Sequence, residues 1–372
     1  MIIKNVLVFK DTNYFTPGQI IIENGRFCNS ASSEHEVLDG KGCYAIPGLI
    51  DIHFHGSMGY DFCDASVEAI AAIADYQAQQ GITAIAPATM TLPKDLLSQI
   101  MSTAASYTNT SGATLVGINM EGPFISADKK GAQASTHIIP CDSNLFRELQ
   151  MASNGLIKLV DIAPEESGAM KFIQDLKDEV HISLAHTNAD YITAKQAYDL
   201  GACHATHLYN AMSPFSHRDP GVVGAARDSS CMVELICDSV HIHPSVVRAT
   251  FQMFGANRIV MISDCIRATG MPDGQYTLGG QDVTVIGNHA TLTDTGSLAG
   301  SVTNLMDCLR IAVKQMGIPL ETAVTCSTIN PARAIGIEEN YGSISTGKIG
   351  NVVLLNSDLQ VEKTIINGMI YH

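Results

Sequence analysis

Short apolar runs rich in β-branched residues alternate with longer segments of helical periodicity from residue 49 onward. We predict one β-strand in each of eight such runs, at residues 49–55, 83–89, 115–121, 157–163, 181–186, 203–207, 232–238 and 258–264. Strands that alternate with helices in this order are typical of βα units and a parallel sheet. Eight units predict an α/β fold of the TIM type, a closed (β/α)8 barrel.

Two of the intervening segments carry signals for both ends of a helix. Residues 66–81 begin at Ser66, a good N-cap, place Glu68 in the first turn and end at a glycine. Residues 244–255 begin at a proline and also end at a glycine. Both segments are therefore predicted helices. Residues 270–300 are rich in glycine and predict a hairpin over the mouth of the barrel.

The two ends of the chain depart from this alternation. Residues 1–46 and 342–372 contain short strand-like runs separated by turns. We expect these ends to pair into one small composite β domain, a β-sandwich, beside a barrel domain formed by residues 47–341. A barrel with a small appendage fits the length of 372 residues.

Composition narrows the classes of partner and the compartment. The formal net charge is −15 and lysine and arginine form no cluster, which argues against nucleic acid or an anionic membrane as a partner. Ten cysteines occur without a Cys-x-x-Cys pair, which suits free thiols in a reducing compartment. The first residues carry charge too early for a signal peptide, and no apolar run reaches membrane-spanning length. We therefore expect a globular, cytoplasmic protein.

Candidate chemistry is concentrated at the predicted strand ends. In a barrel of this type the active site lies at the C-terminal ends of the strands. We single out the histidines and carboxylates at the ends of five of the eight predicted strands, and these residues are His53, His55, Glu121, His186, His207 and Asp264. Imidazole and carboxylate groups are common ligands of divalent metals. On one strand, the first two histidines would also share a face. The pattern favours a metal site.

Each of these residues has another interpretation when taken alone. The histidine pair and His207 could be hydrogen-bonded core histidines, and His186 could cap a following helix. Glu121 could be a solvated loop carboxylate, although Gly122 and Pro123 predict a turn that aims it inward. Asp264 could be an N-cap. Their joint placement at strand ends favours metal binding over these alternatives.

The motifs around these residues resemble the amidohydrolase superfamily, and within it the N-acetylglucosamine-6-phosphate deacetylases. The resemblance spans nearly the whole chain, and the first motif alone would mark only the superfamily. The motifs are PGLIDIHFHG (47–56), EGPF (121–124), KKGA (129–132), AHTNA (185–189), THLYNAMSPFSHRDPG (206–221), CDSVHI (237–242), ISDC (262–265), GSLAGS (296–301) and NPARAIG (330–336).

The resemblance implies a metal centre with one or two divalent ions. One ion would be held by Glu121, His186 and His207, and a second by the histidine pair at positions 53 and 55 with Asp264. Mixed nitrogen and oxygen donors favour zinc or iron(II). The resemblance further implies that Asp264 accepts a proton from the attacking water and returns it to the departing amine.

The resemblance also implies a set of substrate-binding residues, with Arg218 and His241 on the sugar phosphate. Without it, these two could be an exposed loop arginine and an ordinary surface histidine. Because phosphate contacts in the family can cross a subunit interface, we expect a homodimer. Some relatives use a histidine after KKGA to polarise the acetyl carbonyl, where this chain has an uncharged glutamine. The full set is Ala132, Gln133, Asn210, Ala211, Arg218, Asp238, His241, Leu298, Ala299 and Gly300.

The expected activity is hydrolysis of the acetamide of N-acetylglucosamine 6-phosphate to glucosamine 6-phosphate and acetate, in amino-sugar catabolism. The galactosamine epimer would use the same metal and phosphate sites and stays open as the substrate. A more distant alternative is another amidohydrolase, such as a deaminase or an N-acyl amino acid hydrolase. An inactive barrel used as an assembly surface is the alternative from a different class.

Overall fold

The computed structural model describes residues 1–10, 12–30 and 36–372. Within these ranges the strands are β1 Ile2–Lys10, β2 Tyr14–Glu23, β3 Arg26–Cys28, β4 Val37–Asp39, β5 Tyr44–Pro47, β6 Leu49–Asp51, β7 Gly56–Ser57, β8 Tyr60–Asp61, β9 Ile82–Ile85, β10 Thr114–Leu115, β11 Ile118–Glu121, β12 Ile157–Ile162, β13 His181–Leu184, β14 His204–Ala205, β15 Met232–Ile236, β16 Ile259–Ile262, β17 Gly274–Leu278, β18 Gln281–Ile286, β19 His289–Leu292, β20 Val352–Leu355, β21 Val361–Ile366 and β22 Met369–Ile370.

The α-helices of the same ranges are α1 Val67–Gln79, α2 Lys94–Ser106, α3 Ser143–Ala152, α4 Ala169–Leu176, α5 Tyr191–Leu200, α6 Gly221–Arg227, α7 Pro244–Phe254, α8 Leu305–Lys314, α9 Leu320–Ser327 and α10 Ile329–Ala334. Single-turn 3₁₀ helices lie at Phe62–Asp64, Ala127–Lys129, Ser135–His137 and Ala256–Arg258. No helix in the described part of the chain is both long enough and apolar enough to cross a bilayer.

Each of the eight predicted strands is present, and the α/β class is confirmed. Strands β11 to β16 form a six-stranded parallel sheet in chain order, and β6, β9 and β10 form a three-stranded one. The third predicted strand is split, because β10 pairs with β9 whereas β11 pairs with β12. Most strands are shorter than predicted. The first ends at Asp51 instead of residue 55.

Main-chain hydrogen bonds join the edges of these two parallel sheets. The Thr89 N–H donates to Asn119 O at 2.9 Å, beside a parallel bridge between Ala88 and Asn119. At the other edge, the Asp264 N–H donates to His53 O at 2.9 Å. The C-terminal end of the first strand therefore lies next to that of the eighth strand.

The helix signals in the sequence are confirmed at both predicted helices. Ser66 caps α1, and its Oγ accepts a 3.0 Å hydrogen bond from the Ala69 N–H. Helix α7 begins at Pro244 and is followed by Gly255. The helices bury apolar faces against the parallel strands. On α1, for example, Ile70 and Ile73 are almost fully buried.

Both ends of the chain contribute to one mixed sheet. Its order is β22, β21, β20, β5, β1, β2 and β3, and β4 pairs with β1. Strand β20 near the C-terminus pairs antiparallel with β5 near the N-terminus. This sheet has its own apolar cluster, which includes Ile3, Ile22, Phe27 and Leu354.

The segment after the eighth strand contains the predicted hairpin, formed by β17 and β18, and a third antiparallel strand, β19. Leu278, at the end of β17, lines the cavity described below. The side-chain amide of Gln281 on β18 donates to the Ala132 main-chain oxygen. The hairpin is thereby held beside the C-terminal ends of the parallel strands.

Candidate active site

A cavity of about 230 Å³ opens at the C-terminal ends of the parallel strands. Its wall is mostly polar on the strand side, and Met90, Leu278 and Leu298 add apolar surface. The lining residues are His55, Met90, Glu121, Gly131, Ala132, Gln133, His186, His207, Asn210, Ala211, His241, Asp264, Leu278, Leu298 and Gly300.

Glu121, the last residue of β11, lies at the centre of the first predicted ligand set and is 2% exposed. Its Oε1 atom lies 2.9 Å from His186 Nε2 and 3.2 Å from His207 Nε2. The two Nε2 atoms lie 3.2 Å from each other. Three potential ligand atoms thus form a compact triangle at the ends of β11, β13 and β14.

The second predicted set lies directly beside the first. His55 Nε2 is 3.3 Å from Asp264 Oδ1 and 3.4 Å from Glu121 Oε2. His53 Nε2 is 3.9 Å from Asp264 Oδ1. The two histidines follow β6 and do not lie within it, so the prediction of a strand through residue 55 is wrong. Main-chain hydrogen bonds join residues 53–55 to the end of the eighth strand, and these contacts place both imidazole rings in the site.

The donor atoms fit a divalent metal ion. Ligand atoms of His53, His55 and Asp264 lie within 4.8 Å of one another, as do those of His53, Glu121 and His207. His53 Nε2 is buried and has no hydrogen-bond partner among the described residues. An unprotonated buried nitrogen cannot donate a hydrogen bond to the carboxylates that it faces. A cation bound between the nitrogen and the carboxylates would serve as the partner of all of them.

The charges of the site also favour a bound cation. Burial opposes ionisation of Glu121, but His53 and the hydrogen bonds from His186 and His207 hold its pKa well below the ordinary value. For Asp264 burial again acts in the opposite direction, but the hydrogen bond with His55 lowers the pKa. Both carboxylates are therefore held in the ionised form, which is the form that binds a cation.

Three of these residues have left-handed backbone conformations. The φ angles of His186, His207 and Asp264 are +44°, +28° and +50°. Such a conformation costs a non-glycine residue about 1–3 kcal/mol unless its surroundings hold it. The main chain of Asp264 is held on both sides, and its oxygen accepts a 2.7 Å hydrogen bond from Ser301. A Cβ atom on Gly300 would lie 2.9 Å from that oxygen, so the adjacent loop requires glycine.

Most of the predicted substrate-binding residues line the cavity, and three do not. Asp238 and Ala299 are buried behind the cavity wall. Arg218 is exposed and lies on a separate surface beside Tyr191 and Asp228. Within one chain, the structure does not bring Arg218 to the cavity. The predicted residues that line it are Ala132, Gln133, Asn210, Ala211, His241, Leu298 and Gly300.

The contacts of His241 favour the protonated form of its ring, which can bind an anion. Its Nδ1 atom lies 2.7 Å from Asp238 Oδ2, and Asp238 Oδ1 accepts hydrogen bonds from the main-chain N–H groups of Val240 and His241. Burial lowers the pKa of His241, but the Asp238 carboxylate outweighs it and raises the pKa above the ordinary value. The ring therefore tends to be positively charged where it borders the cavity.

Gln133 lies against Glu121 and is 2% exposed. Its Nε2 donates to Glu121 Oε2 at 2.9 Å, and its Oε1 accepts a 2.7 Å hydrogen bond from the Thr91 N–H. The side-chain amide is thus fixed in one orientation, with its donor group toward the cavity.

Sequence reasoning missed Glu234 and two apolar residues of the cavity wall, Met90 and Leu278. Glu234 on β15 is fully buried and lies 2.9 Å from His53 Nδ1. A carboxylate within the otherwise apolar run VELIC was the signal that could have revealed it. Met90 and Leu278 gave no such signal, because apolar residues in loops have many roles.

Comparisons with known proteins identify the family of the chain. The Amidohydrolase family model matches residues 44–370. N-acetylglucosamine-6-phosphate deacetylase of Bacillus subtilis (strain 168) is 36% identical, over 100% of this chain and 96% of the relative. N-acetylgalactosamine-6-phosphate deacetylase of Escherichia coli O157:H7 is 33% identical, over 87% and 86%.

Among solved structures, a mutant of N-acetyl-D-glucosamine-6-phosphate deacetylase from Mycobacterium smegmatis, in complex with N-acetyl-D-glucosamine-6-phosphate, has a TM-score of 0.92. It is 29% identical and the match covers 100% of this chain and 99% of that chain. The expected relationship is confirmed: the chain belongs to the amidohydrolase family and, within it, to the N-acetylglucosamine-6-phosphate deacetylases.

Proposed function

We propose that the protein hydrolyses N-acetylglucosamine 6-phosphate to glucosamine 6-phosphate and acetate. The observation that carries the proposal is the convergence of Glu121, His186 and His207 next to Asp264 in one cavity. Amide hydrolysis requires an activated water, a polarised carbonyl and a proton for the leaving amine. The cavity offers groups for each requirement.

We propose one or two divalent ions, zinc or iron, as the cofactor. Glu121, His186 and His207 would hold one ion, and the second set would hold another. A divalent ion bound in this donor set would supply a stronger nucleophile from water at neutral pH and would polarise the acetyl carbonyl. The carboxylates and neutral imidazoles of the site suit both metals.

The side chains of the chain itself handle protons and orientation. Asp264, ionised and within reach of the cavity, accepts a proton from the attacking water. It then donates that proton to the nitrogen of the departing amine as the carbon–nitrogen bond breaks. Gln133 offers an uncharged donor beside Glu121, and His241 binds the phosphate. Leu298 and Gly300 border the sugar.

Several architectural features support this function. We propose that the two parallel sheets are parts of one closed (β/α)8 barrel, because hydrogen bonds link them at both edges. We assign residues 47–341 to it and residues 1–46 and 342–372 to a small β-sandwich. We further propose a homodimer. The ten free cysteines support a cytoplasmic location.

Kinetics with both epimeric 6-phosphates test the substrate. We expect the gluco epimer to be the better substrate, and a clear preference for the galacto epimer would assign the protein to the other activity. Unphosphorylated N-acetylglucosamine serves as the control and should be hydrolysed far more slowly, because it lacks the anion that His241 would bind.

Removal of the metal tests the cofactor. Treatment with a chelator should abolish activity, and elemental analysis should show that the metal has been removed. Addition of Zn²⁺ or Fe²⁺ should then restore activity. Full activity in protein shown to be free of metal would contradict the proposed mechanism.

A further inference from the structure

Glu234 is a fully buried carboxylate on β15 surrounded by three nitrogen atoms. Its Oε2 lies 2.9 Å from His53 Nδ1 and accepts a 3.0 Å hydrogen bond from the His207 main-chain N–H. Its Oε1 lies 3.2 Å from His204 Nε2. Glu234 does not line the cavity, but it contacts one residue from each of the two proposed ligand sets.

The first contact determines which nitrogen of His53 faces the site. An ionised carboxylate only accepts hydrogen bonds, so the ring of His53 must carry a proton on Nδ1 to contact Glu234. The lone pair of a neutral ring is then on Nε2. This is the buried atom without a hydrogen-bond partner in the described ranges, 3.6 Å from Glu121 Oε1.

Asn119 is the alternative partner of the same nitrogen. Its side-chain nitrogen lies 3.3 Å from His53 Nδ1. This contact is longer and involves an uncharged group, whereas the buried carboxylate gives a shorter, charge-assisted hydrogen bond. Glu234 is therefore the group that orients the His53 ring.

The second contact acts on the backbone. His207 has a φ of +28°, an unfavourable conformation for a non-glycine residue, and its N–H is held by Glu234 Oε2. This main-chain position carries the ring whose Nε2 lies 3.2 Å from Glu121 Oε1. A single carboxylate oxygen thus links His53 of the second ligand set to His207 of the first set.

We propose that Glu234 is a positioning residue that sets the tautomer of His53 and the main-chain position of His207, and so couples the two ligand sets. The proposal rests on the metal-dependent function proposed above. Carboxylates behind metal ligands typically contribute about 10–100-fold in metal affinity. In Glu234→Gln the side chain keeps its size, but its amide group places a donor where nitrogen donors need an acceptor.

Metal titration of the apoprotein is the first test. We expect Glu234→Gln to bind Zn²⁺ about 10–100-fold more weakly than the wild type in calorimetry, with unchanged circular dichroism. Asp161→Asn is the matched control, because Asp161 is an equally buried carboxylate on β12 that accepts a hydrogen bond from Thr206. It should leave the affinity near the wild-type value. Equal affinity of folded Glu234→Gln and wild type would overturn the proposal.

Nitrogen-15 NMR of histidine side chains is the second test, and it does not depend on folding of the Glu234→Gln variant. In the Zn²⁺-loaded protein, the His53 signal, assigned by its loss in His53→Asn, should show a slowly exchanging proton on Nδ1. A proton on Nε2 would overturn the proposal even if Glu234→Gln does not fold. If the wild type binds no divalent ion at all, the metal-dependent function itself fails, which is a distinct result.

Discussion

Asp264 combines two features that make its role testable at the scale of one residue. It lies 3.3 Å from His55 Nε2, and its pKa is lowered by that contact despite burial. We expect Asp264→Asn to lower kcat by about 10²-fold or more, because the amide can neither accept nor return the proton. Steady-state kinetics over a range of pH provide the measurement.

Metal content of the Asp264→Asn protein must accompany these kinetics, since the residue is also a proposed ligand. A variant that keeps its metal and a near-normal kcat would exclude Asp264 as the proton shuttle. If Asp264→Asn loses its metal, an excess of the ion should restore the binding of substrate. It should not restore turnover.

His241 gives the second residue-scale prediction, a pH dependence of substrate binding. Asp238 raises the pKa of His241 above the ordinary value even though burial acts in the opposite direction. The protonated ring binds phosphate, so KM for the 6-phosphate should rise as pH increases through this raised pKa. Asp238→Asn removes the negative charge, lowers the pKa of His241 and should move the rise to lower pH.

Unphosphorylated N-acetylglucosamine is the internal control for that profile, since its KM should not follow the titration of His241. If wild type and Asp238→Asn show the same dependence of KM on pH, the raised pKa of His241 has no part in phosphate binding.

At the scale of one element, the cap of α1 can be tested. Ser66 Oγ accepts the Ala69 N–H, and loss of an N-cap side chain costs about 1 kcal/mol. In Ser66→Ala, hydrogen exchange of the first turn of α1 should accelerate about 5-fold, as measured by mass spectrometry. Ser102→Ala in α2 is the control, because its Oγ donates to Ser98 O and caps no N–H. Unchanged exchange in Ser66→Ala would show that the cap is not limiting.

The presence and type of the elements could be predicted because they depend on local pattern. Apolar β-branched runs gave the strands, and serine, proline and glycine at fixed positions gave the ends of α1 and α7. The strand lengths could not be predicted in this way. The first strand ends at Asp51, and the third is split between β10 and β11, because neighbours distant in sequence decide where a ladder stops.

The candidate site was predictable to the extent that it depends on strand ends. Glu121, His186 and His207 each end or follow a strand of the six-stranded parallel sheet, so the sheet brings them together at the C-terminal ends of its strands. Glu234 was missed because the sequence of a short buried strand shows which side chains share a face, but not which distant residues a buried carboxylate contacts. Its role becomes visible only through the nitrogens of His53 and His207.

At the scale of the whole molecule, the position of Arg218 leads to a prediction about assembly. This residue is exposed and lies outside the cavity of its own chain. If it binds phosphate in the site of a second subunit, Arg218→Ala should lower kcat/KM for the 6-phosphate by about 10- to 200-fold, the effect of one charge-assisted contact. Hydrolysis of the unphosphorylated sugar should change little.

Mixed dimers show whether that contact crosses between subunits. If the contact crosses between subunits, a heterodimer of Arg218→Ala and Asp264→Asn protomers contains one site with both residues intact, so activity should increase when the two impaired proteins are combined. No recovery in verified heterodimers would contradict a shared site, and an equal loss on both substrates would mean that Arg218 supports structure instead.

The left-handed backbone at His186, His207 and Asp264 has a consequence for how this enzyme can be improved. Glycine at such a position would relieve the unfavourable conformation, but it would also remove a buried partner of Glu121 or His55 and increase the entropy of the unfolded chain. The gain from relieved backbone strain is therefore offset, and these three positions are poor targets for raising thermal stability. Directed evolution toward higher thermal stability should sample positions outside this site.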